Sequence, residues 1–317
     1  MKINIDNRIL VNLSKPNIFI SLFQICLEYI CIFSIIFLAV NYLTPLTALL
    51  AIILIGARQQ SLAAVAHDGV HYLVSKNKKL NDLVTNIFIY FPTFSSQKKY
   101  RTFHILHHVK TNSDDDPDYI NKKDNIEYKF PQTKIIFFKN IFKYIFGVHY
   151  ISMLCNTRKT WKQRFKYILK GFKGIRPLEK VTYKENKNEL FATVSFNIVL
   201  VSLLLLTGNF WYYLLFWVFP FFLYIPFIFR VRSICEHFGI KKDKIDHSRT
   251  MYPNLFDRIF LGLNWNLTYH LDHHLFPSVP SYNIKKLHTL LLQNRDYKDN
   301  AQITTHGSYG VFKECTL

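Results

Sequence analysis

Thirteen histidines are present in 317 residues, and eight of them fall into three short groups. His67 and His71 bracket HDGVH; His104, His107 and His108 form HILHH; His270, His273 and His274 form HLDHH. On a helix, residues three and four apart share a face, so each HxxHH group presents three imidazoles together and HxxxH presents two. Imidazole is a borderline ligand suited to Zn, Fe, Cu or Ni. A structural zinc site needs four ligands and usually recruits cysteine, whereas eight clustered histidines are enough for two metals. The cysteines (Cys26, Cys31, Cys155, Cys235 and Cys315) are odd in number and form no CxxC pair, which argues against a disulfide framework.

The elements that must position these groups are apolar helices. Ile18 to Val40 is long enough to cross a bilayer, with Gln24 and Glu28 as polar intruders. Pro45 opens a second helix that reads through Arg58-Gln59-Gln60 to Ala66, so it crosses and then protrudes. Leu190 to Leu206 and Phe210 to Phe229 form a second pair joined by Thr207-Gly208-Asn209, with Pro220 and Pro226 as expected kinks. The expected fold is therefore an all-α integral membrane protein of one domain, residues 1–317. Four transmembrane helices (about 18–40, 44–66, 190–206 and 210–229) make two hairpins, and a cytoplasmic helical cap of residues 67–189 and 230–317 carries the histidines. Leu83 to Phe94 is too short to span. Ile135 to Ile151 places Ile135, Phe138, Ile141, Phe142, Ile145 and Phe146 at helical spacing, which fits either an interfacial helix or one packed on the protein's own core.

Half of the chain is hydrophobic, yet 40 Lys+Arg stand against 21 Asp+Glu. Three of the basic residues precede the first span, 25 lie from Arg58 to Lys187, 12 follow Phe229, and neither short connector has any. The positive-inside rule then puts both termini and the middle segment in the cytoplasm. Nucleic acid would account for the charge but not for four spans, so no nucleic-acid partner is expected; anionic lipid headgroups match better.

The set of motifs resembles the membrane fatty acid desaturases, with their related hydroxylases and carotenoid ketolases. The resemblance runs from roughly Ala66 to Leu287. It is carried by His67-Asp68-Gly69-Val70-His71, Asn81-Asp82-Leu83, Tyr100-Arg101 with His104, His107 and His108, Asp116-Pro117-Asp118, Arg232-Ser233 with Glu236-His237, and Asn266 with Tyr269 through Pro280. It implies a non-haem di-iron centre, held mainly by histidines, that uses O2 and two electrons to remove hydrogens from an unactivated acyl chain, with acyl-lipid the favoured substrate. It also adds His237, a lone histidine by spacing, as a ninth ligand beside His67, His71, His104, His107, His108, His270, His273 and His274. Hydroxylation and carotenoid ketolation are the alternatives within the same resemblance. The three-residue spacing of the first group differs from the four usual in the acyl-CoA enzymes of animals and yeast, and Ser233 stands where some relatives carry Asn.

Asp68, Glu236 and Asp272 sit beside the ligands. Such acids either accept the other N–H of a metal-bound imidazole or pair with nearby Lys and Arg. Asp114-Asp115-Asp116 reads as a solvated turn before Pro117. His149, His247, His288 and His306 have no partner spacing and read as core or surface histidines. No dinucleotide fingerprint, haem module or ferredoxin-like cysteine cluster is evident. The expected electron donor is therefore a separate carrier, a ferredoxin or a cytochrome b5-type protein, docking on the basic face. With no evident targeting extension, the bacterial inner membrane is favoured over the endoplasmic reticulum.

Overall fold

The structure is a computed structural model that describes residues 3, 5–120, 122–148, 187–241 and 244–317. It is mostly helical, and four of its helices are long and apolar enough to cross a membrane: Ile18–Asn41, Pro45–Val70, Lys187–Leu206 and Phe210–His237. His149, Cys155 and the end of the stretch to Ile151 lie outside the described residues.

Each start has a local cause. The Asn17 side chain accepts the Phe19 and Ile20 amides at 3.0 and 3.4 Å, capping the first long helix. Thr44 and Thr47 cap the second reciprocally, with Pro45 in its first turn. The first helix turns Ile25, Ile32 and Ala39 onto Ala51, Ile55 and Leu62 of the second, while Phe19, Phe23, Ile30, Phe33 and Phe37 remain exposed on its other face. Its polar intruder Glu28 is buried and partnered: the Trp265 indole N–H donates to it at 2.9 Å and Arg58 lies 3.5 Å away. The bond ties the segment leading to the third histidine group onto the first two helices.

The fourth long helix is segmented where its prolines predict. A π-helical turn, Leu214–Val218, precedes Pro220, and Tyr224 leaves helical geometry (φ −121°) just ahead of Pro226. Proline lacks an N–H and crowds the carbonyl four residues back, so the ladder must adjust upstream of each. The last segment, Ile225–His237, carries the helix eight residues past the apolar stretch that ends at Phe229, and His237 falls on its final turn. The second helix likewise runs past Ala66 to Val70, with His71 at its C-cap.

Among the described residues, neither short apolar stretch forms a long regular α-helix. Residues Asn86–Tyr90 make a π turn and Phe91–Thr93 a 3-10 turn. In Lys134–Phe142 the buried pair is Phe137 and Ile141, packed with the core around the fourth helix. Ile135, Ile136, Phe138 and Phe142 are exposed. One face of this helix thus belongs to the core, while Phe138 and Phe142 on its flank still meet the rings of Phe312 and Phe227. A parallel ladder, Thr250–Met251 with Ile303–Thr304, is a small departure from the all-helical expectation. The loop at Gly262 (φ +61°) runs against the second helix so closely that a Cβ there would collide with the Ala57 carbonyl, which only glycine avoids.

Candidate metal centre

Two arginine forks fix the helix ends that deliver the histidines. Arg101 donates from Nε to the Val70 carbonyl (2.8 Å) and from Nη2 to the Gly69 carbonyl (3.0 Å), while Asp82 holds its other edge. Arg249, fully buried, donates to the carbonyls of Ile234, Cys235 and Phe238 at 3.1 Å and of Gly239 at 3.2 Å, and pairs with Glu314. The last carbonyls of a helix have no partner within it. A cation satisfies them and complements the negative helix end, so His71 and His237 sit on ends that cannot fray freely. The Arg249 carbonyl in turn accepts the Leu271 amide, connecting the end of the fourth helix to His270–Leu275.

All nine histidines expected as ligands converge, in two groups. His67, His71, His104, His108 and His273 form one; His107, His237, His270 and His274 form the other, and the nitrogens of each group lie within 4.8 Å of one another. The groups adjoin: the rings of His108 and His274 are stacked at 4.2 Å between centroids. The division follows helical arithmetic. In each HxxHH, residues i and i+4 join one group while i+3 joins the other, because neighbouring residues on a helix point about 100° apart. Expecting three imidazoles aimed one way therefore needs correction: each motif feeds both groups.

Nitrogen chemistry shows what the groups can hold. Nδ1 of His107 lies 3.0 Å from both oxygens of the Asp116 carboxylate, and Nδ1 of His237 lies 3.3 Å from the His247 carbonyl. Each Nδ1 is therefore the donor in these contacts, and a neutral ring so held turns its lone pair to Nε2. Yet these two Nε2 atoms are 3.1 Å apart, and Nε2 of His270 is 2.8 Å from that of His237. Lone pairs facing at that distance repel unless a cation lies among them. In the other group Nε2 of His104 approaches those of His71 and His108 at 3.0 and 2.9 Å, and buried Nε2 of His67 has no hydrogen-bond partner. The donor set fits a pair of borderline metal ions.

Burial, and then the neighbouring imidazoles, press these rings toward the neutral form: His71 is pushed down to about 4, and His104, His108, His270 and His273 fall well below the ordinary histidine value. In the unfolded protein such rings titrate near pH 6.5. Between that pH and the depressed folded values the unfolded state binds more protons, so stability is complete above about 6.5 and is lost as pH falls. We expect the melting temperature of the metal-free protein to drop continuously from pH 7 to pH 5, with uptake of more than one proton on unfolding; a flat profile in a differential scanning series would contradict the burial of neutral rings.

The acids beside the motifs have separate contacts. Glu236 pairs with Arg232 at 2.6 Å and stands 3.8 Å from Nδ1 of His270. Asp68 accepts the Ser281 amide and hydroxyl, at 3.0 and 2.7 Å, joining the second long helix to the start of Ser281–Leu291. Asp272 faces His288 (2.9 Å), the Tyr297 hydroxyl and Thr250. His288 is thus a buried, partnered histidine, and His306 is exposed. Asp116 hydrogen-bonds a ring of the two groups, that of His107, although the run of three aspartates had disguised it as a solvated turn; it is fully buried. Only the Asp-Pro-Asp pattern hinted at it.

A cavity of about 620 Å3 reaches His104, His107, His237 and His270. Ala63 and Ala66 of the second long helix and Phe221, Ile225 and Pro226 of the fourth line it, together with a polar and charged wall that includes Lys122 and Ser233. Ser233 accepts a hydrogen bond from Lys122 at 2.7 Å, and Lys122 also holds Asp118 at 2.6 Å.

Comparison with known proteins places the chain among similar sequences. A family model described as fatty acid desaturase matches residues 43–306. The dihydrorhizobitoxine desaturase of Bradyrhizobium elkanii is similar, 27% identical over 259 residues that cover 78% of this chain and 68% of that protein.

Proposed function

The chain belongs to the fatty acid desaturase family, and from that premise we propose that it removes two hydrogens from an acyl chain, acyl-lipid foremost, using O2 and two electrons from an external carrier. The observation that carries the reading is the pair of adjacent imidazole groups at the wall of a cavity that is apolar on one side. A methylene in the middle of an acyl tail offers no acid, leaving group or charge, so acid–base and nucleophilic catalysis have nothing to act on. Two irons held by His67, His71, His104, His108 and His273 on one side and by His107, His237, His270 and His274 on the other would supply the O2-dependent redox chemistry.

The protein's own residues do the rest. Asp116 keeps the His107 proton on Nδ1, and the His247 carbonyl does the same for His237. Ala63, Ala66, Phe221 and Ile225 offer an apolar wall that orients an acyl tail and excludes water. We place the histidine groups and both termini on the cytoplasmic side of the membrane, where a ferredoxin or cytochrome b5-type carrier would reach them.

The test is lipid analysis of a host lacking desaturases, with and without this protein, beside a His107→Ala control, together with iron analysis of the purified protein. New double bonds that depend on His107 are expected. An iron-loaded preparation with a competent reductase and unchanged lipids would overturn the acyl reading. A second reading, that the substrate is a compound like the one named for the Bradyrhizobium elkanii relative, dihydrorhizobitoxine, rests on that similarity. Hydroxylated or ketolated products would point to the other branch of the same chemistry.

A further inference from the structure

The charged wall of the cavity is costly beside a site built for hydrocarbon alone, because ionised groups resist leaving water. Its charged side chains are Lys99, Lys122, Arg230, Arg232, Asp118 and Glu236. Four of them neutralise each other in pairs, Lys122 with Asp118 and Arg232 with Glu236, each at 2.6 Å. Arg230 is different. It is 3% exposed, its Nη2 donates to the Glu127 backbone carbonyl, and its Cζ lies 3.6 Å from the centre of the Tyr128 ring. Nε and Nη1 have no hydrogen-bond partner. The Glu127 carboxylate is taken by Lys143 and the Tyr144 hydroxyl, and no ion pair among the described residues includes Arg230.

A buried guanidinium with spare donors and no acid lacks a counter-charge, and an Arg fork suits carboxylate or phosphate. We infer that the cavity takes a substrate bearing an anionic group, carboxylate or phosphate, that docks on Arg230. Arg230 and His237 lie seven residues apart on the continuous segment Ile225–His237, which at 1.5 Å per residue separates them by about 10 Å along the axis. The inference rests on the desaturase reading and narrows it: the substrate is an amphiphile whose charged head docks on Arg230 while its tail reaches toward the histidines. The apolar wall takes the tail and Arg230 sets how far it enters, and with it the position of the bond formed.

The experiment follows the melting temperature of the purified, iron-loaded full-length protein in the presence of decanoate, decyl phosphate or decanol. At least one anion should raise it while decanol does not, and which anion acts identifies the head group as carboxylate or phosphate. In Arg230→Gln the response should weaken by about 10- to 100-fold in ligand concentration, whereas Arg230→Lys should retain part of it. Equal shifts with decanol, no anion shift on the iron-loaded wild-type protein, or an undiminished shift in Arg230→Gln would overturn the inference. If Arg230→Gln does not fold, the anion-against-decanol contrast and Arg230→Lys still decide it. Iron analysis of the same samples separates the two levels: iron without anion selectivity sinks this inference alone, and a protein that binds no iron sinks the desaturase reading.

Discussion

His237→Ala should yield a folded protein that holds one iron per molecule in place of two and turns over at least about a hundred-fold more slowly, since even the outer partners of metal ligands typically cost 10- to 100-fold. Nε2 of His237 lies between those of His107 (3.1 Å) and His270 (2.8 Å). Its loss leaves three imidazoles on that side and a gap where the fourth donor stood. The group of His67, His71, His104, His108 and His273 does not include His237 and should keep its ion. His306→Asn is the control, because His306 is exposed and distant in sequence from every motif. Iron quantified by mass spectrometry on matched preparations checks the prediction. Two irons retained in His237→Ala would remove this residue from the ligand set, and with it the four-donor geometry.

His237 also shows how far sequence reasoning reaches. The eight box histidines are legible because their chemistry is written locally, in i, i+3 and i+4 spacings that a helix turns into shared faces. His237 has no such partner; it meets His107 and His270 only because the fourth helix continues past its apolar stretch to a C-terminus held by Arg249. That arginine serves carbonyls 10 to 15 residues away in sequence, and no periodicity announces it. The four apolar helices, the prolines that interrupt the last of them and the connector at Gly208 are equally legible, since length, hydropathy and missing N–H groups act within a segment. What hides is what depends on two segments meeting. Asp68 looked like a neighbour of ligands and instead receives Ser281, 213 residues away. In Lys134–Phe142 the spacing grouped Ile135, Phe138, Ile141 and Phe142, and packing instead turns Phe137 and Ile141 inward.

Asp116 is the sharpest case, and it carries the second large prediction. Asp116→Ala should lower the affinity of the His107, His237, His270 and His274 group for its metal by about 10- to 100-fold and leave the other group less affected. The carboxylate accepts Nδ1–H of His107 and, at 2.8 Å each, the amides of Asn112 and Asp118. Its negative charge fixes the tautomer that turns the Nε2 lone pair inward and makes that nitrogen a stronger donor. Without it His107 is free to hold its proton on either nitrogen, and one of the two forms cannot ligate. Asp116→Asn should fall between: the side-chain oxygen can still accept from one N–H, but the amide NH2 confronts another donor and the charge is gone. Titrating the loaded protein with a chelator while following bound iron distinguishes the positioning role from a merely structural one. A residue that only braces the loop at 112–118 would, when replaced, lower the melting temperature and release both ions together. A residue that sets His107 releases one ion early, in the order alanine, asparagine, aspartate, and that ordered, half-complete release is the result expected.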